Sequence, residues 1–183
     1  MPRPPDRGFP VGLVAGVVLV AIGLGTVVAA ATVWLTGDDS DAPPPAPALA
    51  GALAAAEAST EPFRGLTETQ LGVGDRCLRV VIVDEPRERS DGLRGYEELG
   101  PYDGMLFVFD APSTSTFTMS GVAVPLDIGW YDETGQPVDT AEMEPCPEAD
   151  SSCPSYPATG PYRFALETLG GEFVDGSLGA CPS

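Results

Sequence analysis

The 183-residue chain contains no histidine and no lysine, and these absences exclude several kinds of chemistry. Without imidazole there is no Ser-His-Asp triad, no Cys-His pair and no histidine metal ligand. Without lysine there is neither Schiff-base chemistry nor a lysine general base. An enzyme built on this chain would have to use carboxylates, cysteine, tyrosine, serine or arginine. The sequence predicts no cofactor.

Positive charge is also scarce, since nine arginines face 27 acidic residues and the net charge is −18. Such a surface repels phosphate backbones and anionic lipid headgroups. Nucleic acid is therefore excluded as an expected partner. The acidity is typical of a protein kept soluble outside the cell.

Residues 8–37 carry no charged side chain, and residues 11–35 are almost continuously apolar. At about 1.5 Å per residue this run reaches about 37 Å, enough to cross a hydrocarbon core of about 30 Å. A cleaved signal peptide has a shorter apolar stretch of about 7–15 residues. The run therefore predicts a transmembrane helix over residues 11–35. Cleavage near Ala29-Ala30-Ala31 stays open as the alternative.

The charges on either side of this run predict its orientation. Arg3 and Arg7 precede it, whereas aspartates follow it from Asp38 onward. Basic residues favour the cytoplasmic side. Residues 1–10 are therefore expected in the cytoplasm, and the rest of the chain outside a cell membrane that it crosses once. The membrane is thus one predicted partner.

Residues 36–62 are rich in alanine, proline and acid. Prolines favour an extended chain without internal hydrogen bonds. This stretch is interpreted as a spacer, which leaves residues 63–183 as one extracytoplasmic domain.

Short β-branched and aromatic runs bounded by turn residues predict strands in this domain. One short helix is expected from Pro86, capped by Asp84 and ended by Gly92 or Gly95. The pattern predicts a mainly β fold, a small barrel or sandwich of about six short strands with one short helix. The strands are expected at residues 77–83, 105–109, 116–119, 126–131, 138–143 and 162–167.

Four cysteines outside the cytoplasm are expected to be oxidised, and they allow three connectivities. Cys146 and Cys153 flank a short loop, Cys77 opens the first predicted strand, and Cys181 lies near the chain end. These positions favour Cys146–Cys153 together with Cys77–Cys181. A zinc site is the alternative, but the spacings lack the C-x₂-C pattern, and no metal is predicted.

Several motifs follow one another in residues 80–167: VDEPRER (83–89), GL (92–93), DGMLFVF (103–109), FTM (117–119), PLDI (125–128), MEPCP (143–147), CPSY (153–156) and YRFALE (162–167). In this order they resemble the family called domain of unknown function 192, a group of uncharacterised small bacterial and archaeal proteins. The resemblance implies a compact β-fold with one helix, and it implies no activity. Where family members often continue FxM with Lys-Asn-Thr, this chain has SGV.

Asp127 is the first candidate for a functional side chain, because it stands among apolar strand residues. A poorly solvated carboxyl has a raised pKa and can act as a general acid or base. The alternative is that Asp127 accepts hydrogen bonds from backbone amides and organises the preceding loop. Glu144 and Glu167 are candidate partners for a carboxylate pair. Arg163 is a candidate for binding a carboxylate or phosphate. The alternative is that Arg163 forms a structural ion pair.

The leading functional hypothesis is a non-catalytic module of the cell envelope that binds another envelope protein or a polymer. The alternative is a carboxylate-dependent hydrolase acting on envelope carbohydrate. That alternative requires Asp127 to lie in a cleft within about 5–10 Å of a second carboxylate.

Overall fold

The fold is seen in a computed structural model that describes residues 45–147, 152–173 and 175–182. The predicted cytoplasmic residues 1–10 and the predicted transmembrane helix at 11–35 lie outside these ranges. Within them, neither helix has the length and apolar character that a membrane crossing needs.

Ten strands and two helices occur in the described ranges. The helices are α1 (Pro47–Ala54) and α2 (Pro86–Asp91), and the strands are β1 (Glu57–Ala58), β2 (Thr67–Val73), β3 (Arg76–Val83), β4 (Gly104–Ser113), β5 (Phe117–Thr118), β6 (Leu126–Tyr131), β7 (Pro137–Met143), β8 (Ser155–Tyr156), β9 (Tyr162–Leu169) and β10 (Leu178–Gly179). The mainly β prediction is confirmed, and each of the six predicted strands is present.

Eight of these strands form one mixed sheet in the order β1-β2-β3-β4-β9-β6-β7, with β10 also paired to β2. β3 and β4 are parallel because α2 and the residues after it carry the chain back across the sheet. The other pairs in this sheet are antiparallel. β5 and β8 form a separate two-stranded sheet.

The prediction of a barrel or sandwich of about six strands is therefore too specific. Among the described strands, β1 and β7 are the two ends of the sheet and do not pair with each other, so the sheet does not close into a barrel. Closure would require the two end strands to pair with each other. Four short or polar strands, β1, β2, β8 and β10, are added to the predicted six.

Alternate residues of the sheet build two hydrophobic clusters, one on each face. Val81, Met105, Phe107 and Trp130 belong to the larger cluster, which α2 and the long connections cover. The second cluster lies on the other face, where α1 covers it. Its residues alternate along the strands with those of the first cluster, and they include Leu71, Val80, Leu106, Phe164 and Leu166. Burying one such side chain stabilises the fold by about 1.5–3 kcal/mol.

The structure corrects the boundary of the predicted spacer, which extended to residue 62. Leu49 of α1 is fully buried in the second cluster, and the Thr69 hydroxyl donates a hydrogen bond to the Ala52 carbonyl oxygen at 2.7 Å. β1 then pairs with β2. An eight-residue helix is marginal on its own propensity, so its packing against the sheet stabilises it. Within the described ranges, the part of the chain that packs on the sheet therefore includes α1 and β1.

Helix α2 begins with a capping box rather than with the predicted Asp84 cap. The Glu85 side chain accepts from the backbone of Glu88, and the Glu88 side chain accepts from the Glu85 backbone N–H. Gly92 ends the helix at a φ of 50°, a conformation that favours glycine. These two ends set the positions of the arginines discussed below.

Both favoured disulfides are present, Cys77–Cys181 and Cys146–Cys153, with Cα separations of 4.9 and 5.8 Å. The first attaches the C-terminal segment to the start of β3. Gly72, the strand partner of Cys77, leaves room for that segment. A Cβ atom at Gly72 would lie 2.1 Å from the Ala180 carbonyl oxygen.

Candidate functional site

Two adjoining clefts, of about 300 and 350 Å³, lie on the face of the sheet that α2 covers. They share Asp91, Gly92 and Arg94 as lining residues. We call the two clefts together the α2 groove. The first cleft is lined among others by Arg89, Phe107, Phe109, Phe117 and Glu167, and the second by Phe63, Arg64, Leu66, Glu88 and Tyr96.

The wall shared by the two clefts is held by backbone hydrogen bonds and by a disulfide loop. The Gly95 N–H donates to the Gly121 carbonyl oxygen at 3.1 Å, and the Gly121 N–H donates to the Cys146 carbonyl oxygen at 2.9 Å. Cys146 is bonded to Cys153. The disulfide loop therefore supports the segment that carries Arg94.

Aromatic side chains make much of the apolar lining. In the first cleft Phe117 packs edge-on against Phe107, with ring centroids 5.0 Å apart, and Phe109 lies 5.3 Å from Tyr162. Phe109 and Phe117 are half-buried, so part of each ring remains accessible from the cleft. In the second cleft Phe63 and Tyr96 are 4.6 Å apart. Each cleft thus has apolar surface for a ligand.

Glu167 is a buried carboxyl group in the lining of the first cleft. It is 5% exposed, and its strand partners are Met105 on β4 and Ile128 on β6. Within the described ranges, the Glu167 side chain forms no hydrogen bond and no ion pair within 4.0 Å. Burial raises the pKa of Glu167 to about 8, and the charge of Arg94 opposes this rise. At neutral pH the carboxyl group is therefore mostly protonated.

The two arginines of the first cleft differ in their contacts. Arg89 donates hydrogen bonds to the carbonyl oxygens of Asp84 and, at 2.9 Å, Val108, and its guanidinium lies 4.9 Å from the centre of the Phe109 ring. Arg94 is exposed, with its aliphatic stem beside Gly121. In the described part of the chain its guanidinium has no hydrogen bond or ion pair. Arg94 can therefore reach a ligand, whereas Arg89 holds α2 to β4.

The family model of domain of unknown function 192 (DUF192), described as an uncharacterised ACR, matches residues 66–179. This covers well over half of the chain. The chain belongs to this family. The suspected resemblance is thereby confirmed, and the matched segment contains every residue of the first cleft.

Two solved structures are similar to the chain. A protein of unknown function from Novosphingobium aromaticivorans DSM 12444 matches the DUF192 chain with 25% identity and a TM-score of 0.56, over 68% of this chain and 92% of that one. A proposed transcription regulator from Sinorhizobium meliloti 1021 has 20% identity and a TM-score of 0.49, over 60% and 88%. The second similarity is too weak to support an argument. No curated protein matches the DUF192 chain.

Asp127 of the DUF192 chain is only 7% exposed. Its Oδ2 atom accepts a hydrogen bond from the Gly171 N–H at 2.7 Å, and the neighbouring Gly170 N–H donates to the Pro125 carbonyl oxygen. Asp127 thus contacts the turn after β9. The hydrogen bond comes from a backbone amide, as the alternative for this residue had it, but it holds the turn after β9 and not the loop that precedes Asp127.

The sheet register separates Asp127 from Glu167. On β6 and β9, Asp127 pairs with Thr168, whereas Ile128 pairs with Glu167. Because side chains alternate between faces along a strand, the two carboxyl groups lie on opposite faces of the sheet. They do not share a cleft.

The other predicted candidates lie outside the lining of the α2 groove. Glu144 is exposed, and its backbone N–H donates to the Tyr156 hydroxyl. Arg163 donates from Nε to the Phe109 carbonyl oxygen at 3.2 Å, which links β9 to β4. Of the sequence candidates, Glu167 alone is brought into the groove.

Sequence reasoning missed Arg89 and Arg94. A signal was present, because three of the nine arginines fall within residues 87–94. Arg89 lies in the last turn of α2, and Arg94 lies two residues after Gly92, which ends the helix. Both line the first cleft.

A second cluster of ionisable groups serves a structural role. Arg79 donates two hydrogen bonds to Glu68 Oε1, at 2.9 and 2.6 Å, and the Tyr102 hydroxyl also donates to Glu68. The Tyr102 bond, followed by the Arg79 contacts, lowers the pKa of Glu68 despite its partial burial. Glu68 is thus fully bonded within the protein, in contrast to Glu167.

Proposed function

We propose that this protein is a non-catalytic binding module of the cell envelope, and that the α2 groove binds a segment of a carbohydrate polymer. One observation carries the proposal: two adjoining clefts, each lined by an accessible aromatic ring and polar side chains, share the wall formed by Asp91, Gly92 and Arg94. Ligand sites combine apolar lining with a few placed polar groups in this way.

The chemistry of the lining suits sugar rings. A pyranose has a C–H-rich face and a hydroxyl edge, and the electron-rich face of an aromatic ring complements the former. Phe109 and Phe117 supply rings in the first cleft, where Thr116 and Thr118 supply hydroxyl groups. Tyr96 supplies a half-buried ring in the second cleft, packed on the buried Phe63. Each cleft is at the lower end of the usual pocket volumes of about 300–1,000 Å³, which suits about one ring per cleft.

The alternative function, hydrolysis of envelope carbohydrate by a carboxylate pair, needs two carboxyl groups on either side of one bond. Asp127 and Glu167 lie on opposite faces of the sheet, which disfavours that pair. Binding is therefore the function we propose.

The proposal includes a location. The apolar run at 11–35 would tether the domain in a cell membrane, with the N-terminus inside and the groove outside. The two disulfides support an oxidising compartment, because such bonds are rare in the cytosol.

Ligand binding is tested by calorimetry on the full chain in mild detergent, with oligosaccharides of two to four units. We expect binding by at least one of them without any release of shorter products. Arg94→Ala should lower the affinity by about tenfold, as expected for a lost charge-assisted hydrogen bond. Arg76→Ala, an exposed arginine outside the groove, is the matched control and should bind like the wild type. Cleavage of a ligand that Glu167→Gln abolishes would instead identify a hydrolase.

The tether is tested by cell fractionation. We expect the full chain to sediment with membranes, to stay there in high salt, and to dissolve only in detergent, because an apolar run of this length is stable in lipid. Protease added to wall-stripped cells should release a fragment that begins before Pro47. A soluble mature form beginning near Thr32 would show that the segment is a cleaved signal.

A further inference from the structure

Glu167 has hydrogen-bonding capacity that the described protein does not use. The side chain is 5% exposed, lines the first cleft, and lies between apolar strand partners, Met105 and Ile128. Buried polar groups in proteins nearly always have a partner. A ligand group that enters the cleft and bonds to Glu167 would supply the missing partner.

The charged groups around Glu167 indicate which kind of ligand group fits the first cleft. Arg89, Asp91 and Arg94, from α2 and the residues after it, are the charged side chains that line the first cleft with Glu167. The opposite wall, residues 115–118, contributes hydroxyl groups and Phe117. Arg89 is already bonded to two carbonyl oxygens. Asp91 is paired with Arg87, its Oδ2 atom lying 3.9 Å from the Arg87 Nε atom. Among the described residues of this lining, one exposed cation, Arg94, is therefore left beside one buried carboxyl group.

Resting on the proposed function, we propose that the Glu167 end of the α2 groove binds a carboxylate of the ligand, which makes the ligand a carbohydrate that contains a sugar acid. The Glu167 carboxyl group donates its proton in a hydrogen bond to the ligand carboxylate, and the Arg94 guanidinium balances the ligand charge. No covalent bond changes.

Other ligand groups fit this pair less well. An ammonium group would meet the positive charge of Arg94 and Arg89. A neutral hydroxyl group would leave the Arg94 charge without a counterion. A carboxylate matches both an acid that donates a hydrogen bond and a cation.

Protonation of Glu167 makes the binding dependent on pH. Burial raises the pKa of Glu167 to about 8. Above that value two negative carboxylates would face each other, so one proton must be taken up for each ligand bound. Affinity for a carboxylate ligand should therefore be constant well below pH 8 and fall at higher pH.

The test compares trimers of galacturonic acid and of galactose, which differ only in a carboxyl or a hydroxymethyl group on each ring. Calorimetry uses the full chain in mild detergent. At pH 6.5 we expect the acidic trimer to bind the wild type about tenfold more tightly. At pH 9.5 its affinity should be about 30-fold lower than at pH 6.5, as one linked proton with a pKa near 8 requires.

The Glu167→Gln variant removes the ionisable proton of this side chain but keeps its size and shape. The amide keeps a hydrogen-bond donor at every pH. This variant should bind the acidic trimer at pH 6.5 within about threefold of the wild type and lose little affinity at pH 9.5. Equal pH dependence in variant and wild type would overturn the role of Glu167.

The remaining outcomes distinguish this inference from the proposed function. Equal affinity for both trimers would overturn the carboxylate subsite and leave carbohydrate binding intact. If lactate binds as tightly as the acidic trimer, the ligand is a small organic acid, and the proposal of a sugar acid is overturned. If neither trimer binds but other neutral oligosaccharides do, the proposal of a carboxylate subsite is overturned and carbohydrate binding is kept. A full panel without binding would overturn the proposed function as well.

Discussion

Glu167→Gln is expected to reduce, by about 4 kcal/mol, the loss in free energy of unfolding that the wild type undergoes between pH 5 and pH 9. In the folded protein burial raises the pKa of Glu167 to about 8, whereas an unfolded glutamate has a pKa of about 4.3. Between these values the folded state holds a proton that the unfolded state has released. The free energy of unfolding therefore falls as pH rises through this window. The stability that the bound proton of Glu167 contributes is fully lost above about pH 8.

The size of the effect follows from the pKa difference. At about 1.4 kcal/mol per pH unit, the loss attributable to Glu167 between pH 5 and pH 9 is about 4 kcal/mol. Glutamine at this position does not ionise. The free energy of unfolding of Glu167→Gln should then fall by about 4 kcal/mol less than that of the wild type over the same range.

Urea unfolding of both proteins at pH 5 and pH 9 measures this difference. Glu144→Gln is the matched control, because Glu144 is an exposed carboxylate outside the groove, and it should follow the wild type at both pH values. The same pH dependence in Glu167→Gln and in the wild type would show that Glu167 is ionised in the folded protein. The carboxylate subsite proposed above would then lose its proton donor.

Removal of the Cys77–Cys181 disulfide is expected to have the other large effect. This bond joins residues 104 positions apart in the sequence. In the chain-entropy model a loop of that length costs about 4.7 kcal/mol to close. The bond also holds the C-terminal segment, in which β10 pairs with β2 and Leu178 packs into the second cluster. Cys77→Ser with Cys181→Ser should therefore lower the free energy of unfolding by about 4–5 kcal/mol.

The second disulfide is the matched control for the first. Cys146 and Cys153 are only seven positions apart, so their double serine variant should lose about 2.5 kcal/mol. Urea unfolding of the two variants beside the wild type gives both values. An equal or smaller loss for the Cys77 and Cys181 variant would contradict the chain-entropy account. Peptide mapping without reduction would show the two pairs directly.

Much of the sheet was predictable because its strands have clear local patterns. The β3 and β6 sequences are short β-branched or aromatic runs, and α2 has a proline at its start and Gly92 at its end. These are preferences of the backbone of nearby residues. β2 was missed because its first half, Thr67 to Gln70, is polar, and α1 was assigned to a spacer because its composition is that of a linker.

The position of Glu167 shows where local patterns end. Alternation along β9 does not say which face of the sheet Glu167 occupies. Its burial depends on β4 and β6, whose residues are tens of positions away, and on the loops that cover that face. The same register separates Asp127 from Glu167, which were candidates for one pair. Sequence spacing contains no information about either distance.

The sequence alone therefore determined six of the strand-forming segments, the cysteine positions that favour two disulfides, the acidic charge and the family. These depend on residue types and on short-range order along the chain. Only the tertiary structure decided that the sheet stays open, that α1 covers one face, and that Arg94 and Glu167 meet in one groove. Those features depend on which distant strands pair and in which register, because a shift by one residue moves every side chain to the other face.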